Sequence, residues 1–190
     1  MTDSEPTTHE TDRGVKYTPH SMMHKATVRM EPTKLEMLDG FEQTDAGHKF
    51  TPEDSNVRII ISGRDWSKES FLIYGCKSSK EADQYVKNII DRITNIGHDA
   101  KLIDGPNITN IAVNGDFGTT LQLEKILTEL NEQGINVEYE PEQFPGAIIK
   151  LNEISATFLL FSTGAFVIQG LNRFEDITPA INRVQELIEM

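Results

Sequence analysis

The residues that could do chemistry are few, and each stands without the partners that its chemistry needs. The single cysteine, Cys76, follows the apolar run Phe71-Leu72-Ile73-Tyr74 with no histidine beside it. A nucleophilic thiol needs a base or cation close by to become thiolate, so Cys76 reads as a buried, inert thiol. His20 and His24 are four apart, a helical metal-ligand spacing. No carboxylate or cysteine joins them at suitable spacing, and the local sequence is a poor helix, so no metal centre is expected. Ser62-Gly63-Arg64 lacks the downstream lysine and glycines of a phosphate loop. Carboxylates are plentiful but surface-like, and no pair is singled out by apolar surroundings that would tune a general acid. The expectation is a chain that is not an enzyme and takes no cofactor. Two phenylalanines remain, Phe144 and Phe161, each where a strand meets a turn and neither in a position that needs a core residue. Just before the first lies an acidic, proline-broken loop, Tyr139-Glu140-Pro141-Glu142-Gln143.

The elements around these two aromatics read as three strands on two turns. They are Ala147 to Leu151, Ala156 to Phe161 and Ala165 to Gln169, punctuated by Pro145-Gly146 and Thr163-Gly164. Upstream, Leu121, Leu123, Ile126, Leu127 and Leu130 mark an amphipathic helix that Gly134 stops. Ile108 to Val113 reads as a strand before it, and 175–188 as a closing helix. Val57 to Ile61 is a buried strand by its β-branched content, and Phe71 to Tyr74 the strand returning from it. From Ser79 a helix carries Ala82, Tyr85, Val86, Ile89, Ile90 and Ile93 on one face, with Ser78 or Ser79 as cap and Glu81 in its first turn. Lys25 to Met30 alternates weakly, and 33–50 is hard to assign.

At 190 residues and 37% hydrophobic, the chain can bury a real core in one domain or two. Met1 to about His24 has almost no apolar periodicity and reads as a disordered tail. No apolar run approaches the ~20 residues of a membrane span, so a cytoplasmic protein is expected. The formal charge of −12 argues at first against nucleic acid, which calls for clustered Lys and Arg. It is uneven: residues 107–190 hold four basic and twelve acidic side chains. An acidic surface of this kind suits high salt, a basic protein partner, or both.

The chain also resembles itself. Gly75-Cys76-Lys77-Ser78 and its helix overlay Gly170-Leu171-Asn172-Arg173 and its helix at an offset of 95, which sets Val86 on Ile181 and Ile89 on Val184. Ile60 to Gly63 is then matched with Phe161 to Gly164, with six extra residues, Arg64 to Glu69, in the first copy. The expected organisation is a tail over 1–24, a first repeat over 25–101 and a second over 102–190.

The run Tyr139-Glu140-Pro141-Glu142-Gln143-Phe144-Pro145-Gly146 closely resembles the second half of an archaeal-type TATA-box-binding protein. Leu159 to Gly164, Asn110-Ile111 and Ile96-Gly97-His98-Asp99-Ala100-Lys101 support the resemblance, which is strong over 79–190, fair over 57–78 and poor over 25–56. It implies an α+β fold: a pseudo-two-fold saddle of two repeats, a curved antiparallel sheet with helices on the convex face. The concave face of such proteins grips the DNA minor groove, and aromatic wedges kink the duplex. By resemblance Phe144 and Phe161 are the wedges of the second repeat, Asn110 bonds base acceptors, Val167 lines the groove floor and Lys150 lies near phosphates. Ala112 stands where the family has valine and Gln169 where it has threonine. In the first repeat Ile60, Leu72 and Tyr74 face the DNA, with Ile60 standing for Phe161, and the second wedge falls to Phe41 or Phe50. The stretch 25–60 is too short for the family's first strand, helix and two further strands, so that helix is expected to be reduced or absent. Glu140, Glu142 and Gln143 match the loop that contacts transcription factor B, through which RNA polymerase is reached indirectly. The resemblance therefore implies a general initiation factor that binds and bends AT-rich promoter DNA. The alternative is a diverged paralogue that keeps the partner loop and binds DNA weakly or not at all.

Overall fold

A computed structural model describes residues 7–31, 35–63 and 68–189. The chain order is β1 (His9–Glu10), β2 (Lys16–Met30), a 3-10 turn (Leu35–Met37), β3 (Phe41–Thr44), β4 (Gly47–Phe50), β5 (Arg58–Ser62), β6 (Glu69–Cys76), α1 (Ser79–Asn95) and β7 (Ala100–Asp116). There follow α2 (Leu123–Glu132), β8 (Asn136–Glu138), β9 (Ala147–Leu151), β10 (Ala156–Leu160), β11 (Ala165–Leu171), a 3-10 turn (Phe174–Asp176) and α3 (Ile177–Ile188). Two compact units emerge: a middle unit, Ser21–Thr109, and a terminal unit, Met1–His20 with Asn110–Met190. The boundaries fall inside the two long strands β2 and β7, each of which contributes to both units, rather than at 24/25 and 101/102.

In the middle unit β3, β4, β5, β6 and β2 follow one another as hydrogen-bonded neighbours. Along β5, the second half of β2 and most of β6 buried and less buried residues alternate. Ala26, Val28, Phe50, Ile59, Ile61, Phe71 and Ile73 are buried, and helix α1 covers them with Ala82, Val86, Ile89 and Ile93. Each fully buried Ile or Phe contributes about 1.5–3 kcal/mol. That face is what fixes the register, because a one-residue slip would turn every apolar side chain to the other side. Phe41 and Phe50 stack at 4.7 Å beneath the Arg92 guanidinium, which is 5.2 and 5.5 Å from their ring centres. Arg92 also donates to the Asp39 carbonyl at 2.6 Å. Both phenylalanines are thus core, not wedges.

In the terminal unit the order is β7, β11, β10, β9, β8. Ile111, Val113, Ile149, Phe158, Leu160, Phe166 and Ile168 are buried with Leu130 of α2 and Ile181 and Val184 of α3. Gly115 lets the Phe166 ring lie directly against the β7 backbone, where a Cβ would collide with it. The described residues between β2 and β3 carry only the Leu35–Met37 turn where the terminal unit has the ten-residue α2.

The repeat is present, with a corrected register. Ile61 pairs with Phe71 and Leu160 with Phe166, so the two strands are linked by four more residues in the first copy, not six. Ile60 then answers to Leu159, since Ile60 pairs with Leu72 and Leu159 with Val167. The residue answering to Phe161 is Ser62.

The expected tail over 1–24 is also corrected. Residues 1–6 lie outside the described set, but β1 and the first half of β2 form a hairpin in the terminal unit, His9 opposite Tyr17. Its turn is closed by Thr11, whose hydroxyl accepts from Val15 N–H at 3.1 Å, with Gly14 at φ +83°. Thr11 and Val15 are buried, Arg13 approaches Glu186 at 3.5 Å, and Tyr17 lies 3.5 Å from Thr178 on α3. With only two inward side chains, this hairpin has no periodicity to read.

Candidate nucleic-acid interface

Each sheet has one face under helices and one without. On the terminal unit's bare face, cross-strand neighbours run Ile148, Leu159, Val167, Asn114. A second row runs Lys150, Thr157, Gln169, and on β7 Asn110 and Ala112 alternate with buried Ile111 and Val113. Ile148, Leu159, Val167, Ala112 and Asn110 are half-buried, so the surface is apolar in its middle with amides at one edge.

Phe144 and Phe161 meet at the end of this face. Their rings are 5.8 Å apart, edge to face at 65°, and Phe144 is 38% exposed. Two turns hold them there. The Glu140 carbonyl accepts from Gln143 and Phe144 N–H at 2.9 Å, and Phe161 exchanges backbone bonds with Ala165 and Gly164 at 2.9 Å. Gly146 lies beneath the pair; a Cβ there would come within 2.7 Å of Phe144 and 3.0 Å of Phe161. Phe161 is half-buried and Phe144 exposed, so the pair stays only partly covered and leaves apolar ring surface available.

Asn110 sits where β11 bulges. Its Oδ1 accepts from Gly170 N–H at 2.7 Å, with Gly170 at φ +87°. With the oxygen turned to the Gly170 N–H, the NH2 group is the end left free to donate, which suits minor-groove A·T edges that present only acceptors. Lys150 is occupied: its Nζ is 2.7 Å from Glu138 Oε1. Glu140, Glu142 and Gln143 are all exposed on their loop.

On the middle unit's bare face a row runs Glu42, Lys49, Ile60, Leu72, Lys25, and Tyr74 lies between Arg58 and Met23. Ile60, Leu72 and Tyr74 are half-buried, and the Arg58 guanidinium covers the Tyr74 ring at 4.7 Å. Lys25 and Arg29 alternate with buried Ala26, Val28 and Met30. Lys25, Arg29, Lys49 and Arg58 thus put four cations on one face against a single carboxylate, Glu42, across β2 to β6. Lys49 and Glu42 approach at 3.6 Å. Arg29, Lys49 and Arg58 were missed as site residues, although the period-two pattern of KATVRM and VRIII carries the signal for Arg29 and Arg58.

Of the residues first weighed for catalysis, His24 and Cys76 are buried and His20 is exposed. His24 faces the α1 side, its Nε2 3.1 Å from Ser79 Oγ, and burial lowers its pKa more than Glu81 raises it. Burial, with Glu81 adding to it, pushes the Cys76 thiol up to about 12. No group of metal-ligating side chains occurs among the described residues. Nor is any described helix long and apolar enough to cross a membrane.

The chain is a duplicated α+β unit with one sheet face under helices and the other bare. The family described as transcription factor TFIID, or TATA-binding protein, matches residues 105–190. The TATA-box-binding protein of Haloarcula marismortui is 34% identical over 155 residues, covering 69% of this chain and 81% of that protein. That of Pyrococcus horikoshii is 30% identical over 137 residues, covering 72% and 68%. The solved structure of Methanococcus jannaschii TBP superposes with a TM-score of 0.77 at 24% identity, over 91% of this chain and 98% of that one. The fold is therefore the α+β saddle fold of that structure. The chain belongs to the TATA-box-binding protein family.

Proposed function

We propose that the chain is a transcription initiation factor that binds AT-rich promoter DNA in the minor groove, bends it, and recruits transcription factor B. The observation that carries this reading is the Phe144–Phe161 pair, turn-locked at the end of a bare apolar sheet face, with Phe144 exposed and Phe161 half-buried. Inserted at a base step, such a pair unstacks it at roughly a few kcal/mol, offset by the larger contact with bent DNA. Asn110 supplies donors to base acceptors, Val167, Leu159 and Ala112 press on the groove floor, and the middle unit's cations hold phosphates. Glu140 and Glu142 draw in a basic surface of transcription factor B, steering association more than adding affinity. RNA polymerase follows through that factor. The chain does no covalent chemistry.

A second reading has a specific observation in its favour. The middle unit has Ser62 at the place of Phe161, so a paralogue that keeps the partner loop but no longer holds DNA is the competitor. Band-shift titrations on a promoter fragment, with and without transcription factor B and at several salt concentrations, separate the two. The leading reading expects a DNA complex that the factor supershifts, and energy transfer across an end-labelled duplex that reports a bend. Binding to the factor with none to DNA selects the second.

A further inference from the structure

We propose that this chain opens the base stack at one end of its DNA site only, so that it demands a deformable step on one flank and tolerates any sequence on the other. The inference rests on the DNA-binding reading above and concerns which half of the chain wedges.

Strand register carries it. Lys49 pairs with Ile60 as Ile148 pairs with Leu159, so β4 and β9 correspond at a constant offset. Gly47 at the start of β4 then answers to Gly146 just before β9, and the turn residues Asp45-Ala46 precede the one where Phe144-Pro145 precede the other. Counting forward sets Ser62 on Phe161. Where the terminal unit presents two phenyl rings, the middle unit presents a carboxylate and a hydroxyl. At that end of the middle unit lies a recess of about 330 Å³ that Asp45 and Ser62 line together with His48, Ile61 and Glu69 of the covered side. Among the described residues no exposed aromatic stands beside it: of the apolar lining, Ala46 is too small to wedge and Ile61 is buried. Phe41 and Phe50 are each 7% exposed and stacked under Arg92, and Ile60 and Leu72 lie in mid-strand rather than at the sheet's end.

The physical consequence is directional. A wedge requires a step that unstacks cheaply, and pyrimidine–purine steps do so most readily. Under the Phe144–Phe161 pair the sequence of that step matters. Beside the Asp45–Ser62 recess the stack stays closed, the carboxylate is repelled by phosphate, and no step is selected. The middle unit instead holds its end through Lys25, Arg29 and Arg58, whose phosphate contacts carry no sequence information.

The test uses an AT-rich duplex with 2-aminopurine at both flanking steps, whose fluorescence rises when either is unstacked, at protein concentrations where anisotropy shows saturation. The F144A/F161A variant should bind with its fluorescence rise reduced to the level of free duplex, whichever way round it sits. A residual of about half the natural rise means a second wedge in the middle unit and overturns the proposal while leaving DNA binding intact. No rise from the natural chain on saturated DNA also overturns it. No binding by the natural chain overturns the proposed function instead. Where F144A/F161A does not saturate, the graft D45F/S62F decides: about twice the natural rise is expected, and an unchanged rise on bound DNA overturns the proposal.

Discussion

Asn110 is the residue whose hydrogen bonds say most about its use. Its oxygen is committed to Gly170 N–H, so it both pins the β11 bulge and turns its NH2 group into the free end. A structural asparagine and a base-reading asparagine would look alike by exposure alone. They separate on substitution. Asn110→Asp keeps the acceptor for Gly170 and removes both donors, adding a charge that minor-groove acceptors repel. We expect its affinity for an AT-rich duplex to fall by tenfold or more, in line with about 1–3 kcal/mol per well-made base contact, while the urea midpoint stays close to that of the natural chain. Asn110→Ala should lower both, losing about 1 kcal/mol of stability with the bulge bond. Equal affinity for Asp and Asn would reduce the residue to a structural brace. Phe144 and Phe161 were legible at this scale, because an aromatic at a strand–turn junction stands out without any register. Asp45 and Ser62 were not: their meaning lies in what they replace, and that depends on a loop length that one sequence cannot supply.

At the scale of the element, the start of α1 couples the middle unit's stability to pH. Ser78 accepts from Glu81 N–H at 3.1 Å and Glu81 accepts from Lys77 N–H at 2.8 Å, a reciprocal cap. Ser78→Ala should therefore cost about 1 kcal/mol, read from a denaturant midpoint. Beside this cap, buried His24 bonds Ser79 and has its pKa lowered by desolvation, against the opposing charge of Glu81. Above the ordinary histidine value of about 6.5 neither the folded nor the unfolded chain binds the proton, and stability is at its plateau. Below it the unfolded chain takes up a proton that the folded chain refuses, so stability falls with pH until the depressed folded value is reached. The urea midpoint should accordingly drop between pH 7.5 and 5, and His24→Gln should flatten that drop. The same drop in the variant would assign it to other groups. Helix α1 itself was plain in the sequence, since its apolar spacing and its cap agree. Strand β7 was not. It begins at Ala100 rather than Ile108, because Gly105-Pro106 reads as a break, yet Gly105 at φ +85° lets the strand continue tight against the Lys25 carbonyl and Ala26. Strand β2 was half missed for a similar reason. Backbone pairing holds its polar first half, and backbone pairing leaves no trace in side-chain pattern.

Across the whole molecule, the formal charge of −12 misleads about where cations are. Composition averages over faces, whereas strand alternation sorts them. Among the open-face positions of β2 to β6 four cations meet one carboxylate, while Lys150 of the terminal unit is tied to Glu138. A duplex lying on these faces would be held electrostatically by the middle unit and by apolar contact on the terminal one. Salt reads the division directly. Each phosphate neutralised adds about −0.9 to the slope of log affinity against log salt, so Lys25, Arg29, Lys49 and Arg58 bound the slope at about −4. The Glu42 partner of Lys49 makes it shallower still. The acidic remainder of the chain repels DNA at low salt and is screened as salt rises, which flattens the dependence further. Arg58→Gln should reduce the slope by about one. Lys125→Gln, on the helix side of the terminal unit, should leave it unchanged. A slope steeper than about −6 for the natural chain, or one that Lys125→Gln shifts as much as Arg58→Gln, would mean that DNA does not lie on the bare faces of these sheets.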